Sequence, residues 1–295
     1  MTRTISPNQL VTGGDRRISH GVAKARDAIH AASSLKTGCG ILDTDLVAAF
    51  CNMVLTWCLQ VLERKGLSEK VIKRYENLYK DHVSIIVVNT CLGRSIKNAR
   101  LTIRQGDKFA MELFTFGMDP VLTYLEKRLK GIMVHSLPVQ GPVPQNSSSL
   151  VPTVLAHPSL PGLPMLPAPP KTQLVSKATL PPIVTKYTLT AYCDDLKPAI
   201  TNMYEFHLVE RVMTVFELSS GCKMHRDPES QKCKFLPLSK WKTLSQNEIP
   251  FNFFTISDHL DFLGVTLKAN TAATRKVNGD ALQDKIRKTI GPWRG

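Results

Sequence analysis

The stretch "TLTAYCDDLKPAI", residues 188–200, places two adjacent carboxylates, Asp194 and Asp195, after a run of β-forming residues and follows them with Leu-Lys-Pro. Neighbouring aspartates repel each other, and each prefers water or a proton unless a cation lies beside it. A strand, a tight turn and a second strand would project both acids at one edge of a sheet. A lone Asp-Asp pair is most often a solvated turn, so the rest of the chain must decide whether this one is a cation site.

A third acid from a neighbouring strand would complete an oxygen-rich cluster. Asp45 in "ILDTDLVAAF" is the candidate, and Asp43 shares its strand face by the period of two. Such a cluster suits Mg²⁺, which takes one or two carboxylates plus substrate phosphates. Two ions about 4 Å apart can activate a 3′-hydroxyl and stabilise a leaving pyrophosphate.

The totals agree with that chemistry. The 295 residues are 43% hydrophobic, enough for a sizeable core, and 38 Lys and Arg against 24 Asp and Glu leave a formal charge of +14. A strongly basic chain favours a polyanionic partner, nucleic acid or an anionic membrane surface. No apolar run reaches the roughly 18 residues that span a bilayer, and residues 1–30 hold no signal-peptide core. Seven cysteines without regular spacing argue against a disulfide framework. The expectation is a soluble, intracellular protein, neither secreted nor membrane-bound.

Periodicity predicts a helix over residues 17–36, a short acid-bearing strand in "GILDTDL", and one helix in "AAFCNMVLTWCLQVLERKG" closing at Gly66. A further helix is written in "LSEKVIKRYENLYKD", followed by a hairpin of "VSIIVVN" and "RSIKNARLTI". "DKFAMELFTFGMDPVLTYLEKRLKG" returns to helical spacing with a bend expected near Pro120. A Pro-rich run from Pro138 to Pro182 reads as a mobile excursion. Beyond it come the Asp-Asp hairpin, a helix in "NMYEFHLVERVMTVFELSSG", a hairpin-like stretch around "KCKFLPLSKWK", a strand near "DFLGVTLKA" and a last helix in "GDALQDKIRKTIG".

Three separated segments occur in one order: "DLVAAF" (45–50), "RQGDKFAMELFTFGMDPVL" (104–122) and "YCDD" (192–195). Together they resemble motifs A, B and C of the reverse transcriptases of non-LTR, LINE-type retrotransposons. "SSGCKMHRDPESQKCKFLPL" resembles motif D, "FLGVTL" the Leu-Gly primer-grip motif, and "NQLVTGGDRRISHGVAKARDAI" the segment preceding motif A. The resemblance covers roughly residues 8–270. It implies an α+β right-hand polymerase palm, a small antiparallel sheet with helices on one face, carrying partial fingers and only the start of a thumb. Residues 1–134 would be the partial fingers and first part of the palm, 135–186 a Pro-rich insertion, 187–270 the second part of the palm, and 271–295 the start of a thumb. The chain would thus lack, at its two ends, the basic fingers segments and most of the thumb, and would carry no separate nuclease domain.

The implied activity is RNA-directed DNA polymerisation with an RNA template, a DNA primer and deoxynucleoside triphosphates, using two Mg²⁺ ions or Mn²⁺ in their place. Asp45 and Asp194 would hold the metals with Asp195 in support, the three forming the catalytic and metal set. Phe50 would be a steric gate against a ribose 2′-hydroxyl, or an ordinary core phenylalanine. Arg104, Gln105 and Gly106 would line the nucleotide pocket, Lys232 or Lys234 would supply the motif D lysine, and Tyr192, Leu263 and Gly264 would lie along the primer. Cys51 stands where the family carries an aspartate, and His225 where it tends to carry asparagine.

Two other readings compete. Cys222, His225 and Cys233, with Cys193, form a candidate zinc set of irregular spacing. A palm remnant without catalysis, binding nucleic acid through its positive surface, is the alternative function.

Overall fold

In the computed structural model, residues 5–10, 18–80, 83–97, 101–136 and 183–290 are described. The chain divides into two units, residues 1–134 with 186–295, and residues 135–185. Of the second, the described residues are 135–136 and 183–185. The Pro-rich run at 137–182 lies outside the described residues.

The fold is mixed α+β, with a small sheet and helices. Its centre is a five-stranded sheet in the order β6 (Leu189–Tyr192), β7 (Asp195–Ile200), β1 (Cys39–Asp43), β8 (Lys234–Leu238), β9 (Thr255–Ile256). β1 pairs antiparallel with both neighbours, Ile41 opposite Ala199 and Leu236, and β8 pairs parallel with β9. All five residues of β1 are buried. Alternation sends Ile41, Ala199 and Leu236 to one face and Leu42, Ile200 and Phe235 to the other, and both faces are covered.

The first face carries α1 (Ile18–Ser33), whose Ala25, Ala28, Ile29 and Ala32 recur at helical spacing and are buried. Beside it sits the hairpin β10 (His259–Phe262) and β11 (Val265–Lys268), contributing Leu260, Phe262 and Leu267 to the same core. The second face carries α3 (Leu55–Arg64), α5 (Ala110–Arg128) and α6 (Met203–Ser220), with α4 (Glu69–Tyr79) packed outside α3. Helices on one face alone were expected; α1 covers the other. The small apolar residues of α1 let it lie close against a fully buried strand, which needs cover on both sides.

Several local expectations change. The predicted helix after Asp45 is broken into α2 (Ala49–Asn52) and α3 by an extended Met53–Val54, where Val54 N–H bonds the Ser220 carbonyl. Packing against the end of α6 wins over local helix propensity there. α5 continues through Pro120 as one helix. "KCKFLPLSKWK" is not a hairpin: its first part is the interior strand β8, and a 3-10 turn over Ser239–Thr243 follows. The strand near "DFLGVTLKA" is the β10–β11 hairpin, and the last helix, α7 (Thr271–Ile290), starts eight residues earlier than its Gly-Asp signal. The predicted hairpin of β2 (Val83–Val88) and β3 (Cys91–Lys97) is present, and β4 (Ile132–Ser136) and β5 (Ile183–Tyr187) form a further two-stranded pair.

α6 is locked at both ends by its own sequence. Asn202 caps it, its side-chain oxygen accepting from Glu205 N–H, while Glu205, itself buried, accepts from the N–H groups of Lys130 and Thr201. Gly221 ends it at φ 80°, and a Cβ there would stand 2.7 Å from the Asn52 carbonyl oxygen.

Candidate functional site

The candidate site lies at the end of the sheet where β1 runs out and β6 turns into β7. Thr44 extends the pairing with Leu196, its N–H and Oγ1 both donating to the Leu196 carbonyl. The chain then crosses to the other side: the Asp45 carbonyl accepts from His225 N–H, and Val47 N–H donates to Lys223. Asp45 is thereby pinned through its backbone while its side chain stays 37% exposed. His225 Nε2 lies 3.6 Å from its Oδ2.

Tyr192 pairs with Asp195, leaving Cys193 and Asp194 as a two-residue turn. Cys193 takes φ 53°, a left-handed conformation that favours glycine in such turns. A buried side chain holds it there. Gln9 Oε1 accepts from Cys193 N–H at 3.2 Å, and residues 8–10 bond both sides of Ala191 next to β6. Gln9 was quoted in the segment before motif A but given no role; a lone glutamine carries no local sign of the turn it supports.

Asp194, half-buried in this turn, has its carboxyl raised above the ordinary carboxylate value by burial and by the charge of Asp45. Asp45 follows Thr44, whose bridge to Leu196 brings the end of β1 beside the turn that carries Asp194.

Asp195 faces elsewhere. Its Oδ1 accepts from Lys197 Nζ at 2.6 Å, and the same ammonium donates to Asp43 Oδ1 at 2.6 Å. The Lys197 side chain is 1% exposed. Its ammonium lies 5.2 Å from the centre of the Phe262 ring, and Tyr187 Oη donates to the Lys197 carbonyl. Burial first, and the charge of Asp43 after it, raise the Asp195 carboxyl, with Lys197 opposing the rise. Asp195, expected in the catalytic and metal set with Asp45 and Asp194, instead shares one buried lysine with Asp43 on the α1 face. The signal was present: Asp195 and Lys197 are two apart on a strand, hence on one face.

Among the described residues no group of three or more His, Cys, Asp and Glu side chains is arranged to hold a metal ion. The zinc candidates are engaged separately: Cys222 Sγ bonds the Ala49 carbonyl, Cys233 Sγ the His225 carbonyl, and Cys193 Sγ contacts Met111 Sδ. Burial raises all three thiols, which disfavours the thiolates zinc needs. Of the three acids expected to hold Mg²⁺, Asp45 and Asp194 lie outside the ion pairs of Lys197.

The remaining predicted residues are spread around this centre. Arg104 and Gln105 line a shallow pocket of about 430 Å³ with Leu78, Asp107 and Phe109, and Gly106 between them stands at φ 90°, which a side chain would resist. Phe50, half-buried on α2, rests 4.7 Å from the ring of Phe114 on α5. Tyr192 is half-buried at the end of β6. Lys232 is exposed, whereas Lys234 pairs with Asp261 at 3.2 Å. Leu263 and Gly264 form the tip of the β10–β11 hairpin, at φ 53° and 80°.

No family model matches the chain, and no curated protein sequence does. Among solved structures, the chain is similar to telomerase from Candida albicans, determined with the TWJ fragment of telomeric RNA, at 10% identity and a TM-score of 0.46. The alignment takes in 88% of this chain and 33% of the telomerase chain, so the chain spans about a third of that protein's length.

Proposed function

We propose that the chain is an RNA-directed DNA polymerase palm of the non-LTR, LINE type. The observation that carries this reading is the placement of two acids at one end of the sheet: Asp45, next to the Thr44–Leu196 bridge and bonded through its carbonyl to His225 N–H, and Asp194, in the two-residue turn between β6 and β7. In the reaction, a primer 3′-oxygen bonds to the α-phosphorus of a deoxynucleoside triphosphate, the bond to pyrophosphate breaks, and the hydroxyl proton leaves to solvent or base.

Asp45 and Asp194 would hold magnesium, which when bound neutralises phosphate charge and sharpens the nucleophile. Gln9 fixes the turn that presents Asp194, and the backbone pairing of Asp45 with His225 sets the opposing acid. Arg104 and Gln105 would take the nucleotide's phosphate and polar edges, with Phe50 beside the sugar. The formal charge of +14 supplies the attraction for primer and template.

The second reading, a palm that binds nucleic acid without catalysis, is favoured by one observation: Asp195 is committed to Lys197, leaving two acids for cations. Extension of a labelled DNA primer on an RNA template with Mg²⁺ and deoxynucleotides separates the two. Asp45→Asn and Asp194→Asn should each lower extension by about 100-fold or more. No extension by folded protein that still binds the duplex would overturn the polymerase reading and leave the binding one.

A further inference from the structure

An open furrow of about 690 Å³ runs between α5 and α6, with Trp57 of α3 also in its lining. One face of α6 is already spent on the core through Phe206, Val209, Met213 and Phe216. A second stripe, Tyr204, Leu208, Arg211, Val212, Val215 and Ser219, recurs every three or four residues along the furrow. Tyr204 is 73% and Val215 57% exposed. A helix that is apolar on both sides is ordinarily buried on both sides. The stripe from 204 to 219 runs for roughly 22 Å at the helical rise, the length of about four turns of a third helix.

The charges of the furrow decide what fits. Its lining includes Arg211 from α6 and Arg128 from α5, the latter with its guanidinium 5.4 Å from the centre of the Tyr124 ring. No acidic residue lines the furrow among the described residues, because the acids of α6 are engaged elsewhere: Glu205 with Lys130 and Thr201, Glu210 and Glu217 with Arg226.

We propose that this furrow docks an amphipathic helix of a partner protein, apolar on the face that enters and acidic along its flanks. An apolar stripe accompanied by two arginines and no acid is complementary to such a helix in hydrophobicity and sign. A second copy of this chain using the same face would set arginine against arginine. Leu208, Val212 and Val215 give the α6 side an aliphatic run at helical spacing that suits a helix, while the rings of Trp57, Tyr124, Tyr204 and His207 and the two arginines make a nucleic acid strand the competing occupant that the test separates.

The test uses the full chain and three labelled probes in fluorescence anisotropy: a peptide of about 18 residues with leucines at helical spacing and glutamates on both flanks, the same peptide with lysines in place of the glutamates, and a single-stranded RNA. The acidic peptide is expected to bind and to gain helical circular dichroism on binding, and its lysine twin to bind at least about tenfold more weakly. Arg211→Glu and Val215→Asp, both at exposed positions and checked by thermal melting, should each weaken the acidic peptide by about tenfold. No binding of the acidic peptide, equal binding of its twin, or equal binding by the variants would overturn the proposal. RNA binding or self-association that the variants abolish, without peptide binding, would overturn it in favour of those occupants.

Discussion

Lys197→Met tests the electrostatic arrangement behind the site most directly. Methionine keeps an unbranched stem of nearly the lysine's length, so the buried space stays largely filled while the ammonium and its contact with the Phe262 ring are lost. Two hydrogen-bonded ion pairs of 2.6 Å disappear together, leaving Asp43 and Asp195 facing each other around an apolar side chain. Removing one partner from a buried ion network typically costs about 3–5 kcal/mol, because the remaining charges stay desolvated. At about 2 °C per kcal/mol for a chain of this size, the melting temperature should fall by roughly 6–10 °C at pH 8.

The pH dependence carries a sign. Burial raises the Asp195 carboxyl to about 7. A carboxyl raised on folding favours the native state when protonated; that contribution is complete below the ordinary carboxylate range, about pH 4, and is lost as pH rises through the folded value. Lys197 opposes the rise, so its removal extends the loss to higher pH. The difference between parent and variant should be small near pH 4–5, where Asp195 is protonated, and largest near pH 8. Urea unfolding at several pH values measures it, and Lys197→Met with Asp43→Asn and Asp195→Asn should recover most of the loss. A Lys197→Met chain within about 0.5 kcal/mol of the parent at pH 8 would refute the reasoning, since such a change is that of an ordinary surface site.

Three further outcomes are expected. Glu205→Ala unbonds the N–H groups of Lys130 and Thr201 in a buried setting and should destabilise by about 2–4 kcal/mol in urea unfolding, with Glu205→Gln losing less. Gly221→Ala places a methyl 2.7 Å from the Asn52 carbonyl at φ 80° and should cost about 2 kcal/mol, read as a lower melting temperature. Of the seven cysteines, Cys51 and Cys91 are exposed and the other five buried, so an aromatic disulfide reagent at pH 8 should titrate two thiols in native protein and seven after denaturation. Rapid reaction of five or more native thiols would contradict the described core.

What could be read from the residues was local. The helices α1, α4, α5 and α6 follow from apolar positions three and four apart, and the Asp-Asp turn from strand residues on either side of it, because each signal lies within one or two turns of chain. The order of motifs likewise singles out Asp45, Asp194 and Asp195 as a set from sequence alone. Three things were decided by tertiary structure alone. Which strand neighbours which cannot be read from alternation, so "KCKFLPLSKWK" looked like a hairpin while β8 belongs between β1 and β9. The break at Met53–Val54 comes from the end of α6, distant in sequence. And of two adjacent aspartates, composition makes them equal; the strand gives Asp195 to Lys197, two residues on along the same face, while Asp194 stays in the turn.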